Sequence, residues 1–331
     1  MHSSKTITVL GAGSWGTVLA HMLCSSGHQI KLWTRSKRFV EHVKQTGRFT
    51  RPIELSLPES IFLTDNLNLA IKDSEILLCA LPSEAIPETI QKLKELELKP
   101  KKILSTTKGL EQSTSKRISQ LWKENFDCEV AVLSGPNLSA EAALAKPMRT
   151  IIASNNLEFT QQMGKLFQVR HLKIETSADV IGTEIAGATK NVIALVAGAW
   201  DGLDLGTSGK GAMLTRAMNE IAALVELMGG QRQSAYSVAG IGDMYITCSS
   251  SLSRNYRAGF MLGKGKALQE INQELKGQVA EGFWTTPLIH DLAIKYKADF
   301  KVCEAAKTMI ELDLSSKEGK YRLEELLTEL V

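Results

Sequence analysis

The sequence predicts an α/β domain built on a doubly wound parallel sheet, followed by an all-α domain. Three observations carry this expectation. Short apolar, β-rich runs alternate with helical patterns as far as about Thr176, as a chain of βαβ units requires. A glycine-rich turn, Gly11-Ala12-Gly13-Ser14-Trp15-Gly16, separates the first run from the first helix. Beyond Ala178 no strand-like run follows, and helical spacing continues to the end. We therefore place a boundary near residue 177, with one domain over 1–177 and a second over 178–331. The length of 331 residues suits two domains of roughly 150 residues each, and each half is long enough to bury a large core.

The elements follow in order. Thr6–Gly11 (TITVLG) is a short strand, and Ser14–Ser26 has helical spacing through Val18, Leu19, Met22 and Leu23, ended by Gly27-His28. Gln29–Thr34 alternates like a strand. Glu75–Leu81 (EILLCAL) is continuously apolar, as a strand buried on both faces should be. Lys102–Thr106 and Glu129–Leu133 are two more strands, with amphipathic helices expected over Glu84–Leu98 and Ser113–Glu124. Arg149–Ala153 and His171–Glu175 add edge strands around a helix over Leu157–Phe167. In the second domain, Ile181–Ala199 is a helix rich in small residues and Met213–Met228 a strongly apolar one. Leu262–Leu275, Trp284–Tyr296, Val302–Leu312 and Tyr321–Leu330 complete the set. Cys248–Arg257 (CSSSLSRNYR) is the most distinctive irregular segment.

Composition excludes several classes. Hydrophobic residues are 44% and charged residues 23%, near soluble globular averages and unlike disordered, collagenous or coiled-coil chains. The formal net charge of +3, with Lys and Arg spread out and aromatics at 6%, offers no strong field for nucleic acid. No run reaches the ~20 apolar residues of a membrane helix. Val192–Trp200 is bracketed by Lys190 and Asp201, and polar Met1–Lys5 is unlike a signal peptide. The five cysteines are widely separated without a C-x-x-C, and the six histidines contain no H-x-x-x-H pair. The expectation is a reduced, cytoplasmic protein with no disulfide framework and no metal site.

The glycine turn fits G-x-G-x-x-G, a weak motif alone but a specific one after a strand and before a helix. Gly11 permits the tight turn, Gly13 lets a pyrophosphate approach the backbone, and Gly16 lets the helix pack close. The free N–H groups of the helix start then face an anion. No acid ends the second strand; Arg35 stands where a carboxylate would select NAD, followed by Ser36, Lys37 and Arg38. A guanidinium pairs well with a 2′-phosphate, so NADP(H) is the expected cofactor. If Arg35 only overlies the adenine, NAD(H) is accepted as well.

Ligands of parallel sheets sit at the carboxyl ends of the strands. There lie Leu81-Pro82-Ser83, Thr106-Thr107-Lys108-Gly109 and Ser134-Gly135-Pro136-Asn137. Lys108, leaving a strand end rather than a helix face, is a candidate functional cation. Lys190-Asn191 interrupts a small, apolar helix. A cation in apolar surroundings has its charged form disfavoured, the usual route to a lysine acid/base; snorkelling off the helix is the equal alternative. Gly240-Ile241-Gly242-Asp243 and Ser253-Arg254-Asn255 combine glycine turns, a carboxylate and an Arg/Asn pair. If Ser253 begins a helix, side-chain donors join free N–H groups in a pattern suited to phosphate or carboxylate; an ordinary polar loop with a capping serine is the alternative.

These residues resemble a family. GAGSWG at 11–16, LPS at 81–83, TKGL at 107–110, SGP at 134–136, TKNVIA at 189–194, GIGD at 240–243 and SRN at 253–255 occur in order. Together they resemble NAD(P)-dependent glycerol-3-phosphate dehydrogenases of the bacterial soluble type, over about residues 5 to 312. The resemblance implies a Rossmann domain carrying NAD(P)H and a helical domain, interconverting sn-glycerol 3-phosphate and dihydroxyacetone phosphate. It implies cofactor contacts at Ser14, Trp15, Arg35, Lys108, Ser139, Arg254, Val279 and Glu281. It places the substrate at Lys108, Gly135, Asn137, Lys190, Asp243, Ser253, Arg254 and Asn255. Lys190 matches the acid/base, with Asp243 and Thr247 as its supporting polar groups, and a homodimer is the family expectation. Two departures stand out: Asn137 where many relatives have Ser, and Leu205–Lys210 (LGTSGK) without the Asn-x-Lys often found there. The rival readings are a two-domain dehydrogenase acting on a hydroxy acid or sugar acid, and a non-catalytic dinucleotide sensor. The joint TKGL and TKNVIA match, and the presence of both lysines, favour the phosphate-specific dehydrogenase.

Overall fold

The computed structural model describes residues 4–275, 280–314 and 316–331. It divides into two compact units, one of residues 1–111 with 116–180 and one of residues 112–115 with 181–331.

The first unit is built on an eight-stranded sheet. Its strands are β1 (Thr6–Leu10), β2 (Gln29–Trp33), β5 (Ile61–Thr64), β6 (Ile76–Cys79), β7 (Lys102–Ser105), β8 (Glu129–Ser134), β9 (Met148–Ala153) and β10 (Leu172–Ser177). β3 (Arg48–Phe49) and β4 (Leu55–Ser56) form a separate antiparallel pair. The order across the sheet is β10-β9-β8-β7-β6-β1-β2-β5, so the chain reverses its direction of travel at β1, between β2 and β6. That reversal is the topological switch point where open α/β sheets take ligands. Side chains alternate between two cores. Ile7, Val9, Ile76 and Leu78 enter one, and Leu10, Leu77, Cys79 and Ile103 enter the other. Apolar cover on both faces explains why the central strands read as unbroken apolar runs.

The sheet departs from the all-parallel expectation at one place. β9 runs antiparallel to β8, while β10 pairs parallel with β9. The connection from β8 to β9 contains only the five-residue helix Ser139–Ala143, shorter than the helix that usually forms a parallel crossover.

Several expected helices are shorter. Ile118–Asn125 replaces Ser113–Glu124, because Leu110 and Arg117 form an antiparallel bridge and Ser115 sits at φ 54, neither compatible with a right-handed helix. Over 84–98 a 3₁₀ turn, Ser83–Ala85, precedes the helix Ile86–Glu95. The helix at 157 stops at Gly164, since Lys165 to Arg170 make turns instead.

All described elements of the second unit are helical. Its central helix, Val180–Gly202, contains an 18-residue window of mean hydropathy 1.3, long and apolar enough to cross a membrane by length and composition, although Glu184 and Lys190 leave no unbroken apolar run of that length. Its most apolar window is 94% buried within the protein. The expected helix over 262–275 is two, Arg254–Gly263 and Leu268–Glu274, separated around Gly265 at φ 82. The polar loop is likewise shorter than expected. Cys248 and Ser249 end the helix Asp243–Ser249, and Arg254–Arg257 begin the next, leaving residues 250–253.

Helix Arg254–Gly263 lies against the central helix at four glycines. A Cβ on Gly198 would stand 2.1 Å from the Tyr256 carbonyl oxygen, and one on Gly259 would stand 1.9 Å from that of Leu195. Gly202 and Gly263 are similarly tight, at 2.5 and 2.4 Å from backbone oxygens. Gly259→Ala should therefore destabilise the protein by at least about 2 kcal/mol, the scale of overpacking a close-packed core. Gly13→Ala, where a Cβ meets nothing within 4 Å, should leave stability unchanged. Denaturant midpoints of the two variants check this; equal midpoints would mean that the helices do not approach so closely.

Candidate active site

In the first unit the glycine turn leaves β1 at the switch point. The Gly11 N–H donates to the Trp33 carbonyl at 2.9 Å, and Gly11 sits at φ 105, a backbone region that glycine enters without steric cost. A Cβ on Gly16 would lie 1.9 Å from the Gly11 carbonyl oxygen, so only glycine lets helix Ser14–Ser25 start this close to the strand. Gly13 is exposed with open space before it, and no side chain caps the helix start. The leading N–H groups thus remain available to an anion, with the positive end of the helix behind them. This cradle fits a dinucleotide pyrophosphate. Ser14 and Trp15 open the helix, Trp15 half-buried against the core. Arg35 follows β2 and is exposed, and Ser36 caps the next helix by accepting from the Phe39 N–H at 3.2 Å.

Three further strand ends lie in the same unit. Lys108 Nζ donates to the Gly135 carbonyl at 2.9 Å, joining the TKGL and SGP segments. Thr107 Oγ1 donates to the Leu81 carbonyl at 2.8 Å, and a Cβ on Gly109 would lie 3.1 Å from Ser83 Oγ, so the LPS segment belongs to this cluster. Asn137 Nδ2 donates to Thr150 Oγ1 at 3.0 Å, which in turn donates to the Ser134 carbonyl at 2.7 Å. Asn137 Oδ1 and Ser134 Oγ are buried with no hydrogen-bond partner among the described residues. Thr150, which orients Asn137, carried no signal in the sequence. Ser139 opens the helix Ser139–Ala143 just beyond. The Cys79 thiol is pushed up to about 11 by burial, so it stays protonated and is no nucleophile.

In the second unit Lys190 Nζ donates to Asp243 Oδ1 at 2.6 Å, with side chains 10% and 1% exposed. The ammonium head is held inside by a carboxylate. It neither snorkels to solvent nor sits among apolar groups alone. Asp243 follows a π-helical stretch, Val238–Gly242, of the kind that recurs at functional sites. A Cβ on Gly240 would lie 1.8 Å from the Ala235 carbonyl oxygen, so the GIGD glycine lets this turn close up. Thr247 Oγ1 donates to the Asp243 carbonyl at 2.6 Å and lies 3.5 Å from its Oδ1, supporting the turn more than the carboxylate. Neighbouring Cys248 is raised to about 12 by burial, which rules out a thiolate there.

Ser253 does begin a helix: its Oγ accepts from the Tyr256 N–H at 3.2 Å. Asn255 is buried and largely committed. Its Nδ2 donates to Asn191 Oδ1 at 2.8 Å, and its Oδ1 accepts from the Gly282 N–H at 2.8 Å, leaving one amide hydrogen. Asn191 Nδ2 donates to Glu281 Oε2 at 3.2 Å, so Asn191 links the SRN segment to Glu281. Arg254 is exposed and begins the helix Arg254–Gly263. Val279 lies outside the described residues. Among the described residues no three or more His, Cys, Asp or Glu gather as a metal site.

A doubly wound sheet with an open glycine turn at its switch point, joined in one chain to a helical unit holding a buried lysine–carboxylate pair, defines an NAD(P)-dependent oxidoreductase. The comparisons give the particular family. Residues 6–160 match the NAD-dependent glycerol-3-phosphate dehydrogenase N-terminus, and residues 179–319 match the C-terminus of the same family. The glycerol-3-phosphate dehydrogenase [NAD(P)+] of Thermoanaerobacter sp. (strain X514) is 37% identical over 317 residues, 96% of each chain. The crystal structure of glycerol-3-phosphate dehydrogenase from Coxiella burnetii superposes with a TM-score of 0.89 at 31% identity, covering 97% of this chain and 99% of that one. A ketopantoate reductase from Ralstonia eutropha shares the fold alone, with a TM-score of 0.62 at 14% identity. The chain belongs to the NAD-dependent glycerol-3-phosphate dehydrogenase family.

Proposed function

We propose that the protein reduces dihydroxyacetone phosphate reversibly to sn-glycerol 3-phosphate, using NADPH and also accepting NADH, and supplies glycerophospholipid synthesis. As the resemblance implies, it acts as a cytoplasmic homodimer without membrane insertion. The observation that carries the substrate reading is the exposed Arg254 guanidinium on the first turn of a serine-capped helix, in the same unit as the Lys190–Asp243 pair. When bound, the dinucleotide supplies hydride to the carbonyl carbon. Gly11, Gly13 and Gly16 shape its pyrophosphate cradle and Ser14, Trp15 and Ser139 line it; Glu281 and Val279 are further cofactor residues that the resemblance implies. Lys190, held by Asp243 with Thr247 behind, gives a proton to the developing alkoxide. Lys108 stabilises that oxygen electrostatically, with Gly135 and Asn137 lining the substrate. Arg254, the remaining Asn255 amide hydrogen and the helix start hold the phosphate. Its binding energy positions the reacting carbonyl.

The experiment is NADPH consumption by the purified protein with dihydroxyacetone phosphate, beside a panel of 2-keto acids and unphosphorylated dihydroxyacetone. Turnover should be specific to the phosphate ester; preference for a 2-keto acid would instead support the hydroxy-acid reading. Cofactor choice has its own test. Arg35→Asp replaces a pairing cation with a repelling anion, so kcat/KM for NADPH should fall by about ten- to a hundredfold, the value of a charged hydrogen bond, with a much smaller loss for NADH. Equal losses would mean that Arg35 does not read the 2′-phosphate.

A further inference from the structure

The departing segment Leu205–Lys210 lies where the central helix turns into helix Thr207–Leu227. It is tied down rather than loose. Trp200 Nε1 donates to the Gly206 carbonyl at 2.7 Å, and a Cβ on Gly209 would stand 2.4 Å from the Trp200 ring. Lys210 Nζ donates to Asp201 Oδ2 at 2.5 Å, with side chains only 14% and 29% exposed. The Tyr256 hydroxyl donates to the same carboxylate oxygen at 2.5 Å, and the Lys210 ammonium lies 5.2 Å from the Tyr256 ring centroid. Burial, then the Asp201 carboxylate, push the Tyr256 phenol up to about 12, so it remains a donor at working pH.

Tyr256 stands in the first turn of the helix that begins at Arg254. The glycine contacts with the central helix fix how closely the two helices lie, but they are van der Waals contacts without direction. Directional bonds on this turn come from Asn255, towards Asn191 and Gly282, and from Tyr256, towards Asp201. The bonds of this group run among Asp201, Lys210 and Tyr256, while Lys190 bonds to Asp243.

We propose that Asp201, Lys210 and Tyr256 form the positioning element of the phosphate clamp, holding the first turn of Arg254–Gly263 in one orientation before a phosphorylated substrate arrives. This rests on the reading of Arg254 as the phosphate ligand. Preorganised donors lose less freedom on binding, so the element acts on recognition of the phosphate and not on the chemical step. Lys210 neutralises and locates the carboxylate, and Tyr256 transmits that location to the clamp turn.

The test compares Tyr256→Phe, Lys210→Met and Lys210→Arg with the wild type, using dihydroxyacetone phosphate and unphosphorylated dihydroxyacetone at saturating NADPH. Tyr256→Phe and Lys210→Met should each raise KM for the phosphate ester about tenfold, the lower end of a hydrogen bond to a charged group. Their kcat for the ester, and their kcat/KM for dihydroxyacetone, should stay near wild type. Lys210→Arg, which keeps the ion pair, should restore KM. A merely structural role would instead lower activity with both substrates equally, and that result overturns the proposal, as does a fall in kcat at unchanged KM. A wild-type preference for the ester that Tyr256→Phe leaves intact also overturns it, alone. A wild type with no such preference overturns the Arg254 reading and this proposal together.

Discussion

Lys190→Ala lowers kcat by about 100-fold or more, the scale of general acid–base catalysis, while NADPH affinity changes little. Two structural facts set this expectation. The ammonium is buried and bonded to Asp243 at 2.6 Å, so its proton is held at one place. The glycine cradle, by contrast, belongs to the first unit and Lys190 to the second. Truncation also leaves Asp243, fully buried, without its cation, which is costly for a buried charge, so folding is monitored alongside by the thermal midpoint. Parallel measurements of kcat and of NADPH binding by fluorescence check the result. A folded variant with near-normal turnover would remove Lys190 from the proton transfer.

Arg254→Ala should act on a different quantity. The phosphate does not react, yet its binding energy orients the carbonyl. Loss of a charged hydrogen bond corresponds to about ten- to a hundredfold in kcat/KM for dihydroxyacetone phosphate. Unphosphorylated dihydroxyacetone cannot use the clamp and should lose little. Some loss of NADPH affinity accompanies the change if the guanidinium also touches the cofactor, so the informative quantity is the ratio of the two substrates' kcat/KM at saturating NADPH. A ratio unchanged from wild type would place the phosphate elsewhere.

The sequence made the central sheet legible because strands buried on both faces leave continuous apolar runs, as at Ile76–Cys79 and Glu129–Ser134. Strand Ile61–Thr64 leaves no such run, being four residues long, with Phe62 exposed. Helix Lys37–Thr46 was hidden for a related reason: only Val40 and Val43 are buried in it, so its charges dominate its pattern. The break within 262–275 depends on how glycine backbones pack against the central helix, which periodicity does not register. At the site, residue types at strand ends and within an apolar helix pointed to Lys108 and Lys190. Their partners were less visible. The Asn255–Asn191–Glu281 chain and the Asp201–Lys210–Tyr256 group join residues as far as 90 and 55 positions apart, and such pairings exist only once the chain has folded.

The glycine crossing of the central helix bears on how the protein is made. Residues Val180–Gly202 emerge from the ribosome as a 23-residue apolar segment. The helix that covers Gly198 and Gly202 ends only at Gly263. At roughly 5–20 residues per second, several seconds of synthesis separate the two. During that interval the segment has the length and hydropathy of a membrane-spanning helix, with its designated cover not yet translated. Nascent chains halted near residue 245, with this segment clear of the ribosome but its glycine-contacting helix untranslated, should therefore be bound by chaperones far more than full-length chains released from the ribosome.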